Sequence, residues 1–448
     1  MEKSFKIKEL MSLTGFKTAL PFILITSCFA LWGFANDING PIVQGFSRIF
    51  NLNVTESVLV QAVAYLGYFV MAIPAAIFIQ KYSFKAGVLM GLGLFALGAL
   101  LFIPARYVGM YYPFLLAYFI LTCGISFMET SCNPYIYCMG SEETGILRLN
   151  IAQAFNPIGA LLGMYITMKL VLARMSPLTQ EARQSLTKNQ AEHIKDQDLS
   201  LIIQPYILLV IIAVILLFVI FKTNMPKDGV DTHKGQSFMG TASELMRMGN
   251  YREGLVAMFF YNAAQVGCWT FILQYGTRVF LQEGMSIGDA ELTAQKYNII
   301  AMAFFAVSRF VCVWLLQYVK PGRLMAIMAI MAAVFVGGAI LFPNRNGMYC
   351  LVAVSACMSM MFPTIYGIAL RGVGDRVKVA GAGLIMSILG GSLLPPIQAM
   401  LIDTNSSILG VSSANYSFII PLIAFIIIAI YGHRAYVRYH ILRQDTIQ

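Results

Sequence analysis

The chain has 448 residues, of which 58% are hydrophobic and 12% are charged, and its mean hydropathy is +0.72. This composition excludes a soluble globular protein and indicates an all-α integral membrane protein. The formal net charge is +10, but the basic residues concentrate in particular loops. The charge therefore predicts a membrane topology and gives no separate support to nucleic-acid binding.

Apolar runs of about 20 residues recur along the chain, and this is the length that a helix needs to cross a bilayer. Twelve transmembrane helices are predicted, at about residues 18–46, 56–80, 86–105, 111–139, 150–173, 202–222, 253–281, 293–319, 324–344, 347–370, 378–402 and 414–432. Loops that would share a side with both termini hold about twice as many Lys and Arg residues as the opposite loops. Because positive loops stay in the cytoplasm, both termini are predicted to be cytoplasmic.

Two acids are predicted deep within these helices, Asp37 in the first and Glu129 in the fourth. Asp37 lies between Asn36 and Asn39 in the stretch LWGFANDING. An ionised, unpaired carboxylate at this depth is costly, so its presence indicates a substrate pathway, a partner or a protonated state. A structural role for either acid, in a salt bridge or a helix-packing hydrogen bond, is the alternative.

Amide side chains follow Glu129 at helical spacing. Asn133 lies four residues after Glu129, so the two residues share one face of the fourth helix. Asn150, Gln153 and Asn156 form a second stripe on the fifth helix. Amides donate to hydroxyl groups and accept from them, which suits a polyhydroxylated ligand.

A polar, basic stretch divides the predicted helices into two sets of six. It predicts a cytoplasmic linker at residues 224–250, between an N-terminal bundle at 1–223 and a C-terminal bundle at 251–448. When the second half is laid over the first, FPTIY (362–366) aligns with NPYIY (133–137), which indicates two parallel repeats. In such an arrangement the substrate site is expected at the bilayer midplane, between the two halves.

The predicted seventh helix adds polar and aromatic residues from the second half. Tyr261, Gln265 and Trp269 recur every four residues, with Asn262 alongside. An aromatic ring covers the apolar face of a sugar, so this stripe favours a small neutral sugar as the ligand. For any single amide, an interhelical hydrogen bond is an equally good interpretation.

Arg309 is the one cation predicted deep within a helix, and its position favours a role in gating or packing over binding of an anionic substrate. No metal site and no catalytic residue are predicted. The histidines lie in predicted loops or tails, and neither HExxH nor GxSxG occurs, so a membrane-embedded hydrolase has no support.

Five segments together resemble the fucose/galactose/glucose:H+ symporter family of the major facilitator superfamily: LWGFANDINGPIV, FMETSCNPYIY, RLNIAQAFNPIGA, YNAAQVGCW and FPTIYGIALRGVG. The resemblance implies that fold, with twelve helices in two six-helix bundles, in a bacterial inner membrane. It also implies import of a monosaccharide, best L-fucose or a related hexose, together with a proton by alternating access. No cofactor is expected beyond the co-transported proton, and the protein is expected to be a monomer among lipids.

The resemblance assigns roles to particular residues. Glu129 matches a glutamate that binds sugar and carries the proton in that family, and Gln153 and Asn156 match residues implicated in sugar contact. The family pattern N-N-L-N-D places an acid where this chain has Gly40, whereas here the acid is Asp37, nearly one helical turn earlier. We therefore expect Asp37 to take over that acid's role in sugar binding and proton coupling. A sodium-coupled carrier, a uniporter and a sugar sensor that does not transport are the alternatives.

Overall fold

The computed structural model describes residues 16–52, 54–176, 187–226, 237–404, 407–408 and 411–445. Within them, twelve helical segments are long and apolar enough to cross a membrane, which confirms the predicted number of spans and the all-α class. They are numbered here as spans one to twelve: Ala19–Asp37, Val63–Lys81, Phe84–Val108, Tyr111–Cys138, Glu142–Val171, Asn189–Lys222, Gly249–Gln282, Ile287–Leu315, Pro321–Leu341, Arg345–Ala369, Gly374–Asp403 and Ser413–Arg438.

The helices do not coincide with the spans: some helices extend beyond a span, and some spans contain two helices. The α-helices are Phe16–Asp37, Asn39–Phe50, Val54–Lys81, Phe84–Val108, Tyr111–Cys138, Glu142–Gln153, Asn156–Thr167, Lys188–Lys222, Phe238–Arg247, Gly249–Gln282, Ile287–Leu315, Pro321–Leu341, Arg345–Met358, Met361–Ala369, Val377–Met386, Gly390–Asp403, Ser413–Tyr416 and Ile419–Asp445. A π-helical turn covers Met168–Leu172, and 3₁₀ turns cover Gly374–Arg376 and Ser387–Leu389. Two short antiparallel strands, Ser407–Ile408 and Val411–Ser412, form a hairpin.

The helix of span six begins at Lys188 and not at residue 202 as predicted. Thr187 and Gln190 form a capping box at its start, in which the side chain of each residue accepts a hydrogen bond from the backbone N–H of the other. Hydropathy marks only the apolar part of a helix, so it cannot detect a helix that continues into polar residues. The predicted start of this helix was therefore wrong.

Three spans that the sequence predicts as continuous are interrupted, and each of these interruptions lies beside a proline. Proline has no N–H, so the carbonyl group four residues before it loses its partner within the helix. The affected carbonyls belong to Asp37, Gln153 and Ser359, which precede Pro41, Pro157 and Pro363. Regular helix stops at or beside each of these carbonyls. Discontinuous helices of this kind supply polar backbone groups to binding sites in transporters.

The contacts divide the chain into two compact units, called here the N unit and the C unit. The N unit comprises the described parts of Leu13–Met139 and Phe155–Val230. The C unit comprises Gly140–Ala154 and the described part of Asp231–Gln448. The bundle and linker boundaries at 1–223, 224–250 and 251–448 stay a prediction.

In the N unit, spans one and five pack with their backbones in direct contact. A Cβ atom on Gly159 would overlap with the backbone of Ala30, and one on Gly163 would overlap with that of Phe34. Small residues allow such close approach between helices in a membrane.

The C unit repeats this contact between spans seven and eleven. A Cβ atom on Gly390 would overlap with the backbone of Phe259. When the two P-x-I-Y motifs are aligned, Phe259 falls opposite Ala30, and Gly390 falls within two positions of Gly159. The two glycine contacts therefore agree with the repeat that the sequence predicts.

We expect Gly159→Val to lower the melting temperature of the detergent-purified protein by several degrees, because the backbones of spans one and five would have to separate. Gly337→Val is the matched control, since a Cβ atom there meets no heavy atom within 4 Å among the described residues. Equal melting temperatures for the two variants would contradict the close packing of spans one and five.

Candidate functional site

In the N unit, Glu129 of span four lies at the centre of a polar network. Its side chain is 7% exposed. The hydroxyl of Tyr68, in span two, donates a hydrogen bond of 3.0 Å to Glu129 Oε1. Asn36 Nδ2, in span one, donates to the same hydroxyl at a longer distance of 3.5 Å. Side chains of three spans thus form one hydrogen-bonded chain that ends at the carboxylate.

No lysine or arginine forms a salt bridge with Glu129 within the described part of the chain. Its second oxygen, Oε2, has no hydrogen bond there either, in contrast to Oε1. The carboxyl group is therefore held on one side and available to a proton or a hydroxyl group on the other.

Asn133 lies one turn further along span four and is fully buried. Its Nδ2 donates to the backbone carbonyl of Glu129 at 2.9 Å. Asn133 therefore contacts the backbone of the residue that carries the central carboxylate.

Asp37 is the last residue of the first helix, at the interruption that Pro41 causes. Its side chain is partly exposed, and the described residues supply it with neither an ion pair nor a hydrogen bond. Asn36 precedes it and connects to Glu129 through Tyr68. The side chain of Asn39 lies outside the described residues.

Asn156 begins the second half of span five, after the interruption, and is also in the N unit. Its Nδ2 donates to the carbonyl of Phe29 in span one at 3.2 Å. This bond lies beside the close contact of spans one and five. It leaves the side-chain oxygen of Asn156 as the atom that can accept from a ligand.

Arg309 of span eight is 3% exposed and binds backbone atoms in the C unit. Its Nε donates to the carbonyl of Ser359 at 2.6 Å, and its Nη1 donates to the carbonyl of Gln153 at 2.8 Å. For these two carbonyls, a proline four residues later removes the N–H that would donate within the helix. The guanidinium group also lies 4.7 Å from the ring centre of Phe305.

Arg309 forms no salt bridge with a carboxylate among the described residues. Two carbonyl dipoles and an aromatic face stabilise its charge instead. Arg309 of span eight thus donates to one backbone carbonyl at the interruption of span five and to another at the interruption of span ten, and this arrangement is called here the Arg309 clamp.

The predicted stripe on span five is divided by the helix interruption. Gln153, 6% exposed, ends the helix Glu142–Gln153 and groups with the C unit, whereas Asn156 starts the next helix in the N unit. Asn150 is fully buried, and its Nδ2 reaches Ile146 O at 2.9 Å and Thr364 Oγ1 at 3.3 Å. Asn150 is thus part of the packing of spans five and ten.

In span seven, the four predicted residues differ in their surroundings. Tyr261 is fully buried and its hydroxyl donates to Met358 O at 3.4 Å, while Asn262, 6% exposed, donates to Met258 O of its own helix at 2.8 Å. Gln265 is partly exposed, and its amide has no hydrogen bond within the described residues.

Trp269 is also partly exposed. Its indole Nε1 donates to Ser355 Oγ of span ten at 3.2 Å, and its ring packs edge-on against Phe305. The indole is therefore fixed in orientation and its N–H is already bonded. It can offer its ring face to a ligand more readily than it can donate a hydrogen bond.

Tyr68 is the residue of this network that the sequence analysis did not identify. A signal was present in the sequence, because Gln61, Tyr65 and Tyr68 occur at spacings of four and three residues, which is the spacing of one face of the predicted second helix. Tyrosine is common in membrane helices, however, and only the contact with Glu129 distinguishes Tyr68 from Tyr65.

The N unit offers a carboxylate with one available oxygen, a second, partly exposed acid and amide side chains, and the C unit separately offers amide side chains and a fixed indole. No group of His, Cys, Asp and Glu side chains within the described ranges could hold a metal ion. This chemistry suits hydrogen bonding to hydroxyl groups and exchange of a proton.

Comparisons with known proteins agree with this chemistry. The chain is 43% identical over 425 residues to the L-fucose-proton symporter of Haemophilus influenzae, an alignment that covers 94% of this chain and 97% of the relative. It is 31% identical to the L-fucose-proton symporter of Escherichia coli, with 92% of each chain covered. It is 28% identical to a glucose/galactose transporter of Brucella abortus, with 91% of this chain and 92% of the relative covered.

The fold agrees as well. The crystal structure of the Escherichia coli fucose:proton symporter matches with a TM-score of 0.84 at 29% identity, over 94% of this chain and 99% of that one. A family model described as Major Facilitator Superfamily matches residues 24–395. The chain is therefore a multi-pass membrane transporter and not an enzyme, and it belongs to the Major Facilitator Superfamily.

Proposed function

We propose that this protein is a proton-coupled symporter that imports L-fucose or a related hexose by alternating access. The observation that carries the proposal is the buried Glu129 carboxylate, which has a hydrogen-bond donor on Oε1 and no cationic partner among the described residues. The relatives named L-fucose-proton symporters support both the sugar and the proton. The membrane is proposed to be the bacterial inner membrane, with both termini cytoplasmic.

A buried carboxylate can couple a proton to a sugar by simple linkage. In a low-dielectric site the neutral and ionised forms of the group differ greatly in free energy, so any hydroxyl that contacts the group changes the balance between them. By reciprocity, protonation then changes the affinity for the sugar. Glu129, with one oxygen already bound by Tyr68, has the required free oxygen.

The proposed roles follow the surroundings of each residue. Glu129 and Asp37 are proposed as the proton-coupling groups, and Arg309 as a gating or packing residue. The proposed sugar-binding residues are Asn36, Asp37, Asn39, Glu129, Asn133, Gln153, Asn156, Tyr261, Asn262, Gln265 and Trp269.

Transport by the purified protein in proteoliposomes tests the function. A panel of labelled monosaccharides is offered with an inward proton gradient, with an inward sodium gradient, and with the proton gradient collapsed by an uncoupler. Accumulation of L-fucose that requires the proton gradient supports the proposal. Dependence on sodium, equilibration without accumulation, or binding without uptake would instead show a sodium symporter, a uniporter or a sensor.

We expect Gln265→Ala to weaken sugar affinity by about 1–3 kcal/mol, because a hydroxyl of the bound sugar would lose its partner. The matched control is Gln274→Ala, since Gln274 lies on the same helix with its side chain exposed. Isothermal binding measurements on both variants check the prediction. Equal affinities for the two variants would place Gln265 outside the binding site.

A further inference from the structure

The Tyr68 hydroxyl donates one hydrogen bond and accepts another. A tyrosine hydroxyl has one hydrogen atom to donate and can accept at its oxygen. Here the hydrogen atom is directed to Glu129 Oε1 at 3.0 Å, and the oxygen faces the Asn36 amide, which can only donate through Nδ2, at 3.5 Å. The donors and acceptors therefore form one directed chain from span one through span two to span four.

Span four also fixes the backbone from which Tyr68 extends. Ser126 lies three residues before Glu129, and its hydroxyl donates to the backbone carbonyl of Tyr68 at 3.2 Å. Span two is thus bonded to span four at two points, one through the backbone of Tyr68 and one through its side chain. The phenol has little freedom to leave the carboxylate while both bonds are present.

We infer that Tyr68 is a positioning residue for the coupling carboxylate: it holds Oε1 of Glu129, leaves Oε2 for the proton and the sugar, and links the state of Glu129 to the first span at Asn36. The inference rests on the proposed function, because it assigns Tyr68 a part in proton-coupled transport. It adds a residue that is in neither the predicted proton-coupling set nor the predicted sugar-binding set.

The chemistry of the link is a change in the strength of the hydrogen bond between Tyr68 and Glu129. An ionised carboxylate is a strong acceptor and retains the hydrogen atom of Tyr68. When Glu129 takes up a proton, its oxygen atoms become weaker acceptors, so the bond from Tyr68 weakens while the Tyr68 oxygen still accepts from the Asn36 amide. Asn36 directly precedes Asp37 in the chain, so the hydrogen-bonded chain from Glu129 through Tyr68 ends beside the helix interruption in span one.

The test is Tyr68→Phe, which removes one oxygen atom and keeps the ring. Tyr111→Phe is the matched control: Tyr111 is in the same unit, and its hydroxyl also bonds across helices at 3.0 Å, but the acceptor is the backbone carbonyl of Glu56 and not a carboxylate. Both variants are reconstituted at equal density. Sugar counterflow, which needs no net proton movement, and proton-driven accumulation are then measured on each.

We expect Tyr68→Phe to keep counterflow within about twofold of the unaltered protein and to lose about tenfold in accumulation, the equivalent of one hydrogen bond. Tyr111→Phe should change neither measurement by more than about twofold. A purely structural role would lower both activities of Tyr68→Phe in proportion, and this result overturns the inference. Unchanged accumulation overturns it as well.

Infrared spectroscopy provides a second measurement that does not depend on transport. The C=O stretching band of protonated Glu129 is identified as the band that Glu129→Gln removes. In Tyr68→Phe this band should move to higher wavenumber, as for a carbonyl that loses a hydrogen-bond donor, and in Tyr111→Phe it should stay. An unmoved band in Tyr68→Phe overturns the inference, whereas absence of proton-driven accumulation in the unaltered protein overturns only the proposed function.

Discussion

Glu129→Gln is expected to abolish accumulation of sugar against a gradient while it preserves counterflow. The amide keeps an oxygen that can accept from Tyr68 and has nearly the same shape, so sugar contact is retained, but the group no longer takes up a proton. A surface acid cannot replace the buried acid, because the protonation of a solvent-exposed carboxylate does not change when sugar binds at a buried site. Proteoliposome assays of accumulation and counterflow measure the two activities separately.

Glu283→Gln serves as the control for removal of a carboxylate. Glu283 pairs with Arg345 at 2.8 Å on an exposed surface of the C unit, and such pairs contribute little. Both activities of this variant should remain near those of the unaltered protein. If Glu129→Gln still accumulates sugar against a gradient, another group carries the proton.

Arg309→Ala is expected to abolish transport and to destabilise the C unit. The substitution removes the side-chain donor to the carbonyls of Gln153 and Ser359, and each buried acceptor that loses a donor costs about 1–3 kcal/mol. The combined effect is about 2–6 kcal/mol, which should lower the melting temperature in detergent clearly. Arg309→Lys should recover only part of the loss, because one ammonium group cannot reproduce the two directed bonds of the guanidinium fork.

A double variant tests whether the clamp acts through the interrupted backbone. In Arg309→Ala/Pro157→Ala, residue 157 regains an N–H that can donate to the carbonyl of Gln153 within the helix. The melting temperature of the double variant should therefore exceed that of Arg309→Ala alone. Arg345→Ala is the control for loss of an arginine, and it should change the melting temperature little because its ion pair is exposed. Strict additivity of the two substitutions would contradict the clamp.

Much of the architecture follows from one-dimensional properties of the chain. Long apolar runs predicted twelve spans, because a helix must cover the thickness of a bilayer and form all its backbone hydrogen bonds internally. The same reasoning identified Glu129, Asp37 and Arg309, since charged residues inside the membrane are too costly to be accidental. The internal repeat was also detectable from the P-x-I-Y motifs, and the glycine contacts at Gly159 and Gly390 agree with it.

The helix interruptions were detectable in part. Pro41, Pro157 and Pro363 signal lost hydrogen bonds in three spans, but a proline alone does not show whether a helix bends, continues or stops. The outcome depends on what satisfies the freed carbonyl group. For Gln153 and Ser359 it is Arg309, which lies 156 and 50 residues away in the sequence.

The class of protein, the number of spans and the ionisable residues within them could be predicted from the amino-acid sequence. These properties depend on composition, on the thickness of the bilayer and on the free-energy cost of a charge in the membrane. Only the tertiary structure decided that Tyr68 binds Glu129, that Trp269 donates to Ser355, and that Gln153 groups with the C unit. Each of these depends on which helix faces meet. Hydrophobic periodicity cannot provide that information, since helices in lipid are apolar on nearly every side and pack through small residues and specific hydrogen bonds.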